Sequence, residues 1–173
     1  MNIKRMRIPV FVSCPSNLSK EQEESAKIIG ALISKYKLEW RALGRSDYPN
    51  DLPLKEVLKM AKHCSGGIIL GFEQFTTKSG VRLRGTKNEK PLKGPIIFPT
   101  AWNQLEAGIL FAQKLPMIIF KEDGISGGVF DLGVSEVFIH KMPNSKTSKE
   151  DLDDLDTIFQ NWVAKVRNHY YED

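Results

Sequence analysis

The chain has 173 residues, 41% of them hydrophobic and 27% charged, with a net charge of +4. That is room for one domain around one substantial core, in a composition ordinary for a globular protein. It excludes a polycationic nucleic-acid binder, and no apolar run approaches the ~20 residues of a membrane helix.

Two cysteines, Cys14 and Cys64, give neither a disulfide framework nor a metal spacing, which points to a reduced, cytoplasmic protein. The N-terminal MNIKRMRIPVFVSC is basic and then apolar, but its apolar part is too short for a secretion signal. Arg7–Ser13 instead predicts a buried strand. Ser19 and Gln22 form a capping-box pattern that opens a helix with Ala26, Ile29, Ile33 and Tyr36 inward. Leu38–Leu43 predicts a second strand. GRSDYPND is loop, and Asn50 or Asp51 can cap a helix over Leu54–His63, with Leu54, Val57, Leu58 and Ala61 inward.

GGIILG, Gly66–Gly71, lacks alternation and predicts a strand buried on both faces. A long loop follows to Phe98. Between Gly71 and Phe98 stand Lys78, Arg82, Arg84, Lys87, Lys90 and Lys93 against Glu73 and Glu89, a surplus equal to the net charge of the whole chain. A basic loop of this kind is either solvated or meets phosphate. Thr100 is placed to cap a helix running to Lys114-Leu115. Pro116–Phe120 predicts a fourth strand, KEDGISGGVFDLGV a glycine-rich loop, and EVFIH within Val134–Lys141 a fifth strand. The last helix starts near Ser148, acidic at its beginning and basic at its end, as the helix dipole favours.

Alternating strands and helices imply an α/β fold. We expect a flavodoxin-like three-layer sandwich with a five-stranded, mostly parallel sheet of order 2-1-3-4-5. Ligands bind such sheets at the carboxyl ends of the strands. That selects SCPSN after the first strand, GFEQF after the third, KEDGISGG after the fourth, and the start of the Thr100-capped helix. Glu106 lies in the first turns of that helix, one turn after Trp102. An apolar surrounding would raise its pKa and suit it to acid–base work. Alternatively, it bonds a loop donor or pairs with Arg82 or Arg84.

The expected substrate-binding set is Ser13, Cys14, Pro15, Ser16, Asn17, Phe72, Arg82, Arg84, Trp102, Asn103 and Asp123, with Glu106 catalytic and no metal. Asn103 and Gln104 can bind hydroxyls, and SCPSN offers backbone N–H groups before a helix to a phosphate or ribose. Trp102 packs the helix or walls the pocket, with the core position favoured. Cys14 as a nucleophile with His63 as base has nothing to place the pair together. Asp131 is a cap or a second acid, with the cap favoured. The glycines of DGISGG serve a tight turn or a close approach. His140 and His169 lack metal-ligand spacing and read as structural or surface residues.

PVFVSC at the start, with tryptophan and glutamate four apart on the helix after the third strand, resembles a TIR domain. In that family this glutamate cleaves the N-glycosidic bond of NAD, and the matching positions are Trp102 and Glu106. LEAGILFAQKLPMIIFKED and GVFDLGVSEVFIHKM also resemble nucleoside deoxyribosyltransferases, whose nucleophilic glutamate lies in such a helix. The outline covers most of the chain and is closest over Pro99–Met142. Between Leu70 and Glu106 there is no Asp, where the transferases carry aspartates that handle the base.

The resemblance implies a single domain over residues 1–173 and an NAD glycohydrolase or cyclase, of the kind that serves bacterial antiviral defence. NAD would be substrate and no cofactor would be needed. It implies a homo-oligomer or a defence partner, and neither a membrane nor a specific nucleic acid. The other readings are nucleoside or nucleotide base exchange or hydrolysis, and a non-catalytic nucleotide-binding or interaction module.

Overall fold

The computed structural model describes residues 7–45, 47 and 51–172. In chain order β1 (Ile8–Ser13) leads to α1 (Lys20–Lys35), β2 (Leu38–Arg41), α2 (Pro53–Lys62) and β3 (Gly67–Gly71). Four short strands follow, β4 (Phe75–Thr77), β5 (Val81–Arg82), β6 (Lys90–Pro91) and β7 (Ile96–Phe98). The chain then forms α3 (Ala101–Ala112), β8 (Met117–Lys121), a 3-10 turn (Gly128–Phe130), β9 (Ile139–Lys141) and α4 (Lys149–Glu172).

The main sheet runs β2-β1-β3-β8-β9, and every neighbouring pair is parallel. This is the expected flavodoxin-like order, with β8 and β9 as fourth and fifth strands. The unalternating apolar strands are explained by their two faces. Val10, Val12, Ile68, Leu70, Ile118 and Phe120 face α1 and α4. Phe11, Ile69, Met117 and Ile119 face α2 and α3. Fully burying each such side chain stabilises the fold by about 1.5–3 kcal/mol. Gly67 lets α3 approach β3, since a Cβ there would stand 2.5 Å from Leu110 Cδ1.

Ser19 and Gln22 form the full capping box of α1, and the Thr100 hydroxyl accepts from the Trp102 N–H at the start of α3. α2 departs from expectation. Asn50 lies outside the described residues, and the N-cap is Leu52, without a side-chain bond. Asp51 instead accepts from the Leu52 N–H and pairs with Lys55 at 2.6 Å. Val57, Met60 and Ala61 are the inward residues, while Leu54 and Leu58 are exposed.

The segment after β3 is not an open loop. β4 pairs with β7 and β5 with β6, both antiparallel, so residues 75–98 form a folded-back ribbon arm. The fifth strand is also shorter and later than EVFIH. It pairs only as Ile119–Lys121 with Ile139–Lys141. Glu136 has φ +55, which breaks extension just before it, and Phe138 is exposed. Among the described residues no helix is long and apolar enough to cross a membrane.

Candidate active site

Glu106 enters the site because α3 begins at the carboxyl edge of the sheet. Glu106 is only 8% exposed, and burial raises its pKa to about 7, with a hydrogen bond from Ser13 acting in the opposite sense. Among the described residues it has no ion pair, so the expected alternative of pairing with Arg82 or Arg84 is not realised.

The Ser13 hydroxyl is held in turn. Asn103, fully buried, donates from Nδ2 to Ser13 Oγ at 2.7 Å and to the carbonyl of Leu70 at 3.3 Å. Ser13 Oγ thereby accepts from the amide and keeps its own proton for Glu106. Asn103 therefore fastens α3 across the ends of β1 and β3. It does not reach the cavity, which corrects the expectation that it binds a substrate hydroxyl.

A cavity of about 370 Å³ opens here, within the range of about 300–1,000 Å³ typical of small-molecule sites. Its walls are the Cys14–Asn17 loop, Leu43, Gly44, Pro53, Gln74, Thr100, Trp102 and Glu106. Trp102 is 39% exposed and forms one wall, not a core contact. Cys14, Pro15, Ser16 and Asn17 lie where SCPSN was expected to lie. Arg45 braces that loop, donating from Nε to the Pro15 carbonyl at 2.8 Å while pairing with Glu23 at 2.7 Å.

Other expected residues fall elsewhere. Phe72 is fully buried in the core facing α1 and α4, because the chain stays inside for one residue beyond β3. Arg82 and Arg84 sit far out along the ribbon arm, and Arg82 lines a separate cleft with Lys90 and Lys93. Asp123 is exposed and pairs with Lys141 at 3.2 Å. It borders an adjoining cavity of about 670 Å³, which shares Gln74 with the first. The acid between the two strand ends in that second cavity, Glu122, is already engaged by Gln22 Nε2 at 3.0 Å and by the Glu73 N–H at 2.6 Å.

Gln104 also turns away from substrate. It donates to the Gly127 carbonyl at 3.1 Å and accepts from the Val129 N–H at 2.9 Å, tying α3 to the glycine-rich loop. Gly128 allows this approach, with φ +58 and a would-be Cβ 2.3 Å from Gln104 Oε1. Asp131 accepts from the Gly127 N–H at 2.8 Å and is the loop's cap. Nothing among the described residues brings Cys14 and His63 together. Burial pushes the Cys14 thiol up to about 12, and His63 caps α2 at the opposite edge of the sheet. His140 is structural, its ring 5.7 Å from that of Phe120.

Sequence reasoning missed Gln74, Gly44, Pro53 and Arg45 as site components. GFEQF marked the right loop for Gln74, but nothing in it distinguished the exposed glutamine from the buried Phe72. Among the described residues no group of three or more His, Cys, Asp or Glu side chains could hold a metal ion.

The sequence matches no family profile and no curated protein. Solved structures resemble it in fold. A diflavin flavoprotein from Nostoc sp. is 12% identical, with a TM-score of 0.52 over 96% of this chain and 97% of that one. A conserved protein from Enterococcus faecalis is 8% identical, with a TM-score of 0.50 over 90% and 98%. A CMP N-glycosidase from Clostridium botulinum is 18% identical, with a TM-score of 0.48 over 86% and 98%.

Proposed function

We propose that this protein cleaves the N-glycosidic bond of NAD or a related nucleotide, with Glu106 as the catalytic carboxylate. One observation carries the reading. A buried carboxyl faces a cavity at the sheet's carboxyl edge, and among the described residues every other lining side chain of that cavity is uncharged. A cationic nicotinamide ring suits such a place. It can pair with the ionised carboxylate and lie against the Trp102 ring.

As the C1′–N bond breaks, its electron pair goes to the ring nitrogen, and nicotinamide leaves neutral. Positive charge develops on the ribose as an oxocarbenium ion, which Glu106 stabilises. Water then adds to C1′ and loses a proton, or another group of the ADP-ribose adds in its place and closes a ring. Glycosidases whose leaving group needs a proton use two carboxylates. A pyridinium leaves without one, so a single glutamate suffices. The backbone of Pro15–Asn17, ahead of α1, is suited to the phosphates.

A second reading is a nucleoside or nucleotide N-glycosidase or deoxyribosyltransferase. The pKa of about 7 favours it in one respect, because a protonated Glu106 can donate to an ordinary departing base. The test is to incubate the protein with NAD, nucleosides and nucleoside monophosphates and separate any free base by chromatography. Release from NAD supports the first reading, and release from nucleosides or their monophosphates alone supports the second. No release at any protein concentration leaves a nucleotide-binding module. Assembly with further copies or a defence partner belongs to the first reading, so protein concentration is varied.

A further inference from the structure

The ribbon arm is unlike the rest of the surface. Residues 75–98 carry six basic side chains and one acid, Glu89, so the remainder of the chain is close to neutral. Every residue from 78 to 91 is exposed, including the apolar Val81 and Leu83. None of the six cations enters an ion pair among the described residues. The one acid accepts from the Gly85 N–H at 2.5 Å and shapes the turn. An isolated two-stranded ribbon is only marginally stable in water, so an arm with no described residue packed on its tip is suited to a partner.

At the root of the arm, Phe75 and Phe98 face each other across β4 and β7, with ring centroids 6.1 Å apart. Both are exposed, by 61% and 40%. A cross-strand aromatic pair is ordinarily covered. Here it offers ring surface to solvent beside a row of cations. Cations that follow a phosphate backbone, with aromatic rings on which bases stack, are the two elements of single-strand recognition. The root residues Gln74 and Thr100 flank the pair and line the Glu106 cavity, so the arm rises from the ligand edge of the sheet.

We propose that the arm binds single-stranded nucleic acid, with its basic side chains on the phosphates and the Phe75–Phe98 pair as the stacking platform. This binding stands independently of any glycosidase activity. A loop offers no such platform, and the folding of the segment into a ribbon is what sets this proposal apart from the expectation of no specific nucleic acid.

The experiment is fluorescence anisotropy of the full chain with a labelled single-stranded oligonucleotide of about 16 nucleotides. Inorganic polyphosphate and the matching duplex serve as competitors. Binding should weaken with rising salt. The double variant Arg84→Glu, Lys87→Glu should lower both the affinity and the salt slope. Phe75→Ala, at an exposed position, should weaken single-strand binding by about tenfold while leaving polyphosphate binding unchanged. Glu106→Gln should bind as wild type does, which separates failure of this proposal from failure of the glycosidase reading. The proposal is overturned if no binding occurs at low salt, if the charge reversals have no effect, or if polyphosphate competes as well as the oligonucleotide with Phe75→Ala silent. It is also overturned if the charge reversals change only the sedimentation of the protein, which would assign the arm to a protein partner.

Discussion

Asn103 Nδ2 stands 2.7 Å from Ser13 Oγ, and the Ser13 hydroxyl bonds Glu106. A buried amide thus sets the direction of a serine proton, and that proton opposes the effect of burial on the carboxyl. In the NAD reading Glu106 acts ionised, so kcat/KM should rise with pH through about 7. Ser13→Ala removes the opposing bond and should move that midpoint upward by about one pH unit, the worth of one hydrogen bond to a charged group. The pH–rate profile checks it. A profile that falls through this range instead would assign the protonated form, and with it an unactivated leaving base.

The same carboxyl should be visible in stability. Its folded pKa, about 7, lies above the ordinary 4.5. Its stabilising contribution is therefore complete below pH 4.5 and is lost as pH rises through about 7. Glu106→Gln removes the charge that has to be buried. At pH 8 it should be more stable than wild type by an amount on the order of 3 kcal/mol, and the gap should close toward pH 4. Urea denaturation at the two pH values measures this. An unchanged or lowered stability at pH 8 would mean that the carboxyl is not desolvated.

Trp102 walls the cavity and is more than a third exposed. Trp102→Ala should therefore cost little stability while raising KM by about tenfold or more, the worth of a desolvated ring contact with a cation. Thermal melting and initial-rate kinetics together check this. A large drop in Tm with unchanged KM would return the ring to a packing role.

Gly128 combines a positive φ with contact to Gln104. Gly128→Ala should destabilise the protein by about 1–3 kcal/mol, since the backbone is strained and two hydrogen bonds of Gln104 must shift. Hydrogen exchange at the Val129 N–H, which donates to Gln104, should accelerate first. Protection unchanged at Val129 would show that the bond does not hold the loop.

Much of the fold was legible in the sequence because its signals are local. Ser19 with Gln22, Thr100 before Trp102, and the uninterrupted apolar strands each carry their own physical cause. The ribbon arm was not, because Phe75 and Phe98 are partners across a long intervening stretch, and register between distant residues leaves no local pattern. EVFIH misled because its apolar residues have strand propensity while the backbone turns at Glu136. At the site, topology put Glu106 and the Cys14–Asn17 loop at the ligand edge, whereas Trp102, read first as a core residue, lies in the cavity wall because α3 starts at the sheet's rim. Phe72, Arg82, Arg84 and Asp123 were assigned by the loop they occupy, and a loop does not specify which of its side chains points inward. The engagement of Asn103 and Gln104 with backbone groups on other segments was hidden for the same reason.

The catalytic role of Glu106 stands or falls on nicotinamide release from NAD by wild type and by Glu106→Gln, compared at matched concentration with equal folding verified by circular dichroism. Wild type should release nicotinamide, and the variant should be slower by roughly 10²-fold or more. Release at the wild-type rate by Glu106→Gln would contradict that role, as would a folded wild type that frees no base from NAD at any concentration.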